Sequence, residues 1–551
     1  MHGAELLGLA LAAVAVTAVA RRLGWQAPLL LVVVGLAASA VPGMPDFAID
    51  GELLLALVLP PLLYSSALGV SYAGFRALLH PIVQLGVVLV LVTAVVVALL
   101  ARLVVPGLPM PVALVLGAIV APPDAVSAAA VGRRLGLPRP MMTVLSGESL
   151  INDAAALTFY KVALAAVFGA GGGLLGLDWG SAAGTFGLAV GVGVGLGLAL
   201  GVVVHLVRMR LEDPVVESVL GLIVPFAAYL LAEELSGSGV LAVVAAGLYL
   251  GHRGPEAGYA TRLQEMPLWS SLDLLLQAVV FALIGLQLRA VVDEVAASER
   301  STGQLLVAAA VVLATVIVVR AVFVFGLELV RRTPRPVPGG RWASPTRPPW
   351  SYQTVISWTG MRGVVTLAVA AALPEQVNGA PFADREAVQF LAYAVTIGTL
   401  LLQGLTLPRL IRRLGVRDPE QDQQDAESEL RLQERTTAAA LQRAEELIAE
   451  ARPRVGDERA DQWVERIRGP LQARTRTMRQ TIRAEEEEEQ TKGRKRAEGF
   501  RYLRQQVVQA QRRALMTERD RGTVDDEVVR GVLQELDYEE AASAHSWTTR
   551  L

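Results

Sequence analysis

The chain has 551 residues, of which 53% are hydrophobic but only 5% aromatic, and it contains no cysteine. An apolar mass of Ala, Val and Leu with 51 glycines suits closely packed membrane helices better than a soluble core, and the lack of cysteine excludes disulfides and thiolate metal centres. With 50 basic against 52 acidic residues the net charge is −2, so no overall field favours nucleic acid as a partner.

About thirteen apolar runs can each reach across a hydrocarbon core of about 30 Å, some of them short or tilted. They lie near 4–20, 26–41, 51–69, 77–101, 110–131, 141–169, 183–206, 215–232, 238–251, 267–288, 303–330, 351–373 and 387–408. Backbone in lipid must satisfy its own hydrogen bonds, and no alternating β pattern is present, so the expectation is an all-α polytopic membrane protein. The first run lacks a small-residue cleavage site of the usual kind and is followed by further spans, so it reads as a span rather than a signal peptide. Arginines follow runs 1, 5, 7, 9, 11 and 13: Arg21-Arg22, Arg133-Arg134 with Arg139, Arg208 with Arg210, Arg253 with Arg262, Arg331-Arg332 with Arg335, Arg341 and Arg347, and Arg412-Arg413. The opposite loops carry acids such as Glu233-Glu234 and Asp293-Glu294. By the positive-inside rule the N-terminus is then outside and the C-terminus in the cytoplasm, in a cell (inner) membrane.

Run 5 is interrupted by Ala121-Pro122-Pro123-Asp124. Two prolines remove two backbone donors and disfavour helix in the residues before them, which predicts an unwound stretch with Asp124 at the start of a half-helix. Run 12 carries Gly360-Met361-Arg362-Gly363 in mid-span, a second candidate break. The two runs are seven apart, the spacing of equivalent positions in two six-span repeats joined by a linker span. Paired broken helices of this kind point to an ion site at the membrane midplane.

Run 6 holds Ser146-Gly147-Glu148-Ser149-Leu150-Ile151-Asn152-Asp153, with Lys161 further along. A charge at bilayer depth costs at least about 2.5–3.5 kcal/mol and by default marks an ion or proton path. Ser149 and Asp153 are four apart and share a helix face, Asn152 borders it, and Glu148 is turned roughly 140° away. Asp153 is therefore the candidate for a residue that alternately holds a proton and a cation, with Asp124, Ser149 and unwound carbonyls as further oxygen ligands for a hard cation. Glu148 needs its own partner, and Arg320 and Arg362 are the mid-span candidates.

Run 7 carries two small-xxx-small series, Gly187/Gly191/Gly195 and Gly193/Gly197/Gly201, which read first as internal helix packing and second as a dimer face. Beyond about Arg413 the composition turns to Gln, Asp, Glu and Arg. Amphipathic stretches at 434–451, 457–484 and 498–518, and five acids at Glu485 to Glu489 ahead of Lys492, Arg494, Lys495 and Arg496, read as a helical, partly disordered cytosolic tail. The domain division is thus a membrane transporter domain at 1–412 and a charged regulatory tail at 413–551.

Pro122-Pro123-Asp124-Ala125-Val126, Gly147-Glu148-Ser149-Leu150-Ile151-Asn152-Asp153 and Gly360-Met361-Arg362-Gly363-Val364-Val365 resemble, in order and spacing, three signature segments of the monovalent cation:proton antiporter family 1, the sodium/proton exchangers. The resemblance covers about 1–412, and the tail near 498–540 is also similar to those of bacterial members. It implies thirteen helices in two inverted repeats with broken helices 5 and 12, a homodimer, and elevator-like movement of a core domain. It implies Asp153 as the ion-binding aspartate, with Asp124 and Ser149 beside it, and Glu148 paired with Arg362, with Arg320 a further arginine of helix 11. Many members have threonine where this chain has Pro123, which leaves only a backbone carbonyl to serve there. Some members place a glutamate in helix 3, whereas the matching Leu59-Pro60-Pro61-Leu62-Leu63-Tyr64 stretch continues here with Ser65. An asparagine at Asn152 is typical of electroneutral members. The expected activity is electroneutral exchange of Na+ or Li+ for a proton, with K+/H+ exchange as the near variant. A cation channel or a membrane-embedded sensor or scaffold are readings of other classes. No filter loop, phosphate loop or nucleophile constellation argues for a channel or an enzyme, and no cofactor is expected beyond the transported ion. The expected partners are the lipid bilayer and a second copy, while the tail is expected to contact its own cytoplasmic loops or a regulator.

Overall fold

The computed structural model describes residues 3–42, 51–170, 179–211, 213–297, 301–332, 349–377, 380–382, 384–417, 421–487 and scattered positions between 510 and 532. It divides into two units, Met1–Arg417 and Asp418–Leu551. Among its described residues the first unit's regular structure is helical, apart from a two-residue strand pair at Gln376–Val377 and Ala380–Pro381.

Its helices begin with α1 (Gly3–Leu23), α2 (Ala27–Ser39), α3 (Gly51–Leu68) and the short α4 (Tyr72–Ala77). A long helix follows, built from α5 (Leu79–Val83), one π turn and α6 (Leu89–Val104). Then come α7 (Met110–Val120), α8 (Ala125–Leu135), α9 (Arg139–Ala165), α10 (Trp179–Arg208), α11 (Pro214–Glu234), α12 (Gly239–Arg253), α13 (Tyr259–Ala297) and α14 (Thr302–Arg332). The unit closes with α15 (Trp350–Trp358), α16 (Val364–Ala371), α17 (Arg385–Thr399) and, after another π turn, α18 (Leu405–Leu414).

Among the described residues eight helices are long and apolar enough to cross a membrane by length and composition. Their apolar windows are only 22–61% buried within the protein. The remainder presents side chains such as Leu11, Leu103 and Val322 outward, a belt that suits lipid rather than water. The most buried of these windows belongs to α9, which places the Glu148–Asp153 segment at the centre of the bundle.

Both expected breaks are present. α7 stops at Val120 and α8 starts at Ala125, so the Pro122-Pro123 pair lies in the gap. α15 stops at Trp358 and α16 starts at Val364, leaving Thr359 to Gly363 unwound. The two glycine series of α10 separate cleanly. A Cβ on Gly193, Gly197 or Gly201 would meet α12 or the Ser238 that caps it, so these glycines bring two helices together inside one chain. Gly187, Gly191 and Gly195 have no described neighbour within 4 Å of where a Cβ would stand.

The second unit contains α19 (Gln421–Val455) and α20 (Asp457–Glu487), joined at Gly456, whose φ of +82° favours glycine. Glu434 meets Arg479, Thr437 meets Thr475, Glu445 meets Arg468 and Asp461 meets Arg452. Each step forward on one helix is matched by a step back on the other, which defines an antiparallel hairpin. The basic cluster at Lys492 to Arg496, most of the 498–518 stretch and the loop arginines Arg335, Arg341 and Arg347 lie outside the described residues.

Candidate functional site

The site begins with the backbone groups that the breaks leave over. The two prolines cannot donate to the last turn of α7, and the N–H of Asp124 turns away to the Met361 carbonyl in the other break, 2.5 Å off. The carbonyls of Val120 and Ala121 accept from Nε and Nη2 of Arg362, at 2.8 and 3.3 Å. Nη1 of the same guanidinium donates to the Gly360 carbonyl. The Arg362 N–H is held in turn by Thr399 Oγ1 at 3.0 Å. The Pro123 carbonyl accepts from Nδ2 of Asn152, at 2.6 Å. The breaks thus cross and satisfy one another, and α9 is pinned to the first of them. A Cβ on Gly363 would overlap the Asp124 carboxyl, so only glycine leaves room for that side chain here.

Next to this crossing lies a cavity of about 70 Å³. It is lined by Pro122, Pro123, Asp124, Ser149, Asp153 and the stretch from Gly363 to Thr366. Leu59, Leu62, Leu63 and Ser66 of α3 and Asp273, Gln277 and Phe281 of α13 line it too. Ser149 and Asp153 reach the same space, as their spacing of four requires. Asp153 is only 7% exposed.

Glu148 is fully buried and points elsewhere, in keeping with its angle on the helix. Its partner is Arg320 of α14, which makes a two-pronged contact: Nη1 to Oε1, and Nη2 to Oε2 at 2.9 Å. Of the two candidates the sequence offered, Arg320 makes the contact, whereas the resemblance implied Arg362. Arg362 is occupied by the orphaned carbonyls of the breaks, which would otherwise be buried without a donor. Arg320 is fixed further by its Nε on the Ile356 carbonyl at 3.0 Å.

Asn152 is fully buried and braces the break through Pro123; it does not line the cavity. Pro123 lines the cavity, but its carbonyl already accepts from that amide. Lys161, an ionisable group in the same apolar run, has a half-exposed side chain paired with Glu233 at the end of α11.

The sequence reading missed Asp273. It lines the same cavity, and Ser65 Oγ lies 2.8 and 2.7 Å from its two carboxyl oxygens. The signal was present: Asp273 is an acid in mid-run, the feature that singled out Asp153. Ser65 itself was read as the loss of a helix-3 carboxylate, whereas it holds a carboxylate supplied by α13. Among the described residues no three acidic or histidine side chains converge closely enough to hold a resident metal ion.

Comparison with known proteins agrees with this architecture. The model of a family described as "Sodium/hydrogen exchanger, transmembrane" matches residues 9–413. An uncharacterised Na+/H+ exchanger of Mycobacterium tuberculosis is 34% identical over 541 residues, covering 97% of this chain and 95% of the relative. The Na+/H+ antiporter ApNhaP of Aphanothece halophytica is 31% identical over 401 residues, 70% of this chain and 69% of that one. The solved structure of the sodium proton antiporter MjNhaP1 from Methanocaldococcus jannaschii shares the fold, with a TM-score of 0.57 at 20% identity over 74% of this chain and 97% of that one. A family match across the whole bundle that holds both breaks and the cavity makes this chain a member of the sodium/hydrogen exchanger family.

Proposed function

We propose that the protein is an electroneutral antiporter that exchanges one Na+ or Li+ for one proton at Asp153, by alternating access. The observation that carries this reading is the pairing of Asp153 and Asp124, with the Ser149 hydroxyl, in one cavity at the crossing of two broken helices. Carboxylate and hydroxyl oxygens are the ligands a hard monovalent cation takes. Burial favours the protonated form of a carboxyl and a bound cation favours the ionised form, so one site holds either but not both. Both nearby arginines are engaged, Arg320 by Glu148 and Arg362 by backbone, so neither competes with the cation.

Asn152 carries no charge, which leaves Asp153 as the titrating group at its level of α9 and supports a one-for-one exchange. The name of the Aphanothece relative supports sodium as the cation. Thirteen spans in two inverted repeats, an outside N-terminus, a cytoplasmic regulatory tail and a homodimer complete the proposal, with movement of the broken helices and α9 carrying the site between the two faces.

The test is cation-driven proton movement in proteoliposomes, measured for Na+, Li+ and K+, with wild type beside Asp153→Ala and with the membrane voltage free or clamped. Exchange that disappears in the variant and ignores the clamp is the expected result. Activity that survives Asp153→Ala removes the site assignment, and activity that generates its own voltage removes the one-for-one ratio. Conductance without coupled proton movement would establish a channel instead.

A further inference from the structure

Asp273 stands in a different relation to the cavity from the other two acids. Asp124 comes from the first break and Asp153 from α9, whereas Asp273 comes from α13 and lines the same cavity together with residues of α3. The three carboxyls line one cavity without converging on a single ion-sized point. An ionised Asp273 adds a negative charge to the cavity that Asp153 lines, and a protonated one does not.

Its partner is suited to a group that changes charge. Ser65 Oγ lies within hydrogen-bond distance of both Asp273 oxygens and also 3.0 Å from the Leu62 carbonyl. A hydroxyl has one proton to give and lone pairs to accept with. When Asp273 is ionised, Ser65 donates to it. When Asp273 is protonated, its O–H donates to Ser65, and Ser65 turns its own proton to the Leu62 carbonyl. Ser65 thus offers Asp273 a hydrogen-bond partner in either charge state, which lowers the usual penalty for changing charge inside a protein.

The other titratable groups come from the elements packed on α13: α1 carries Glu5, Arg21 and Arg22 near its two ends, and α17 carries Arg385 and Glu386 at its start and Tyr393, whose hydroxyl lies 3.2 Å from Gln287 of α13. Asp153 of α9 and Asp124 of the first break line the same cavity. Tyr64 of α3 packs on Trp269, one turn before Asp273 on α13. Two turns before it on the same helix is Glu265, held by Arg208 of α10 at 2.6 Å, while Glu217 of α11 bonds Thr261 at the start of α13. The sequences of α2 and α16 contain no ionisable side chain.

We infer that Asp273, switched by Ser65, sets the affinity of the transport site for its cation, high when Asp273 is ionised and low when it is protonated. The inference rests on the antiporter reading above. It adds a residue that tunes the carrier at Asp153 without itself carrying the ion.

The experiment is the proteoliposome assay, with KM for Na+ and maximal rate measured separately between acid and alkaline pH. At alkaline pH Asp273→Asn should raise KM about tenfold, the scale of losing one charge facing the ion across a partly screened gap, while the maximal rate stays within about threefold. As pH falls the wild-type KM should rise toward that of the variant, because wild-type Asp273 then also becomes neutral. Ser65→Ala removes a donor to the ionised form, so it should move this rise to higher pH while keeping the alkaline KM near wild type. Asp273→Glu should retain the charge and most of the affinity.

A KM ratio of one at alkaline pH, with Asp153→Ala inactive in the same preparations, overturns this inference and leaves the antiporter reading intact. A KM ratio that is the same at every pH makes the Asp273–Ser65 contact merely architectural and overturns it equally. Should Asp273→Asn not assemble, a Ser65→Ala pH profile that overlays wild type overturns it as well. A wild-type protein that exchanges no cation for protons overturns the antiporter reading and this inference together.

Discussion

The arginine–carboxylate pairs of the tail hairpin and the one at the centre of the membrane unit work differently. In the tail hairpin, Arg479 meets Glu434 and Arg468 meets Glu445, with every partner 38–55% exposed. At the centre of the membrane unit, Glu148 and Arg320 are 0% and 3% exposed. Exposed pairs sit in high dielectric and are screened by salt, so each adds about 0–1 kcal/mol. A buried pair gains little net stability by existing, because desolvation offsets attraction, yet losing one partner strands a charge. The tail pairs thus fix the register of two helices cheaply, whereas the central pair commits the bundle to one arrangement.

The largest expected effect follows from that asymmetry. Arg320→Gln should lower stability by about 3–5 kcal/mol, seen as a large fall in the melting temperature of the purified protein. The double variant Glu148→Gln/Arg320→Gln should recover most of it, since no uncompensated charge remains. A double variant as unstable as the single would mean that Arg320 matters through its bond to the Ile356 carbonyl, and the contrast with the tail would collapse. A smaller effect, on function rather than folding, is expected at Gly363. Gly363→Ala sets a methyl against the Asp124 carboxyl and should move it off the cavity. Cation affinity should fall by about tenfold, with a drop in melting temperature smaller than that of Arg320→Gln. Unaltered affinity would separate Asp124 from the transport site.

The residues that sequence reasoning located and those it missed differ in one physical respect. The breaks were legible because proline and glycine act locally: Pro122-Pro123 removes donors whatever surrounds it. Asp153 and Ser149 were legible because a helical period places them on one face before any neighbour is known. The partner of Glu148 was not, since two buried arginines were available and the choice depends on which one the crossing breaks already occupy. That contest is decided by the Val120 and Ala121 carbonyls, distant from both Glu148 and Arg362 in the chain. Asp273 fell between these cases. Its position in an apolar run was visible, but its meaning came only from the approach of α13 to Ser65, two hundred residues away in sequence.

The smallest effects belong to the tail, and they sharpen the comparison from its weak side. Arg468→Ala removes an exposed contact to Glu445 and should change the stability of the α19–α20 hairpin by less than about 1 kcal/mol, the range for solvent-screened pairs. Gly456→Ala touches no charge, yet it forces a Cβ into the left-handed region at φ +82°. That conformation costs an ordinary residue roughly 1–2 kcal/mol. Hydrogen exchange across 421–487 in the full-length protein would rank the two variants. The turn variant should loosen the hairpin more than the charge variant, and added salt should abolish only the difference between Arg468→Ala and wild type. If the charge variant proved the more disruptive, the tail pairs would be behaving like the buried one, and exposure would not be what separates the two regions.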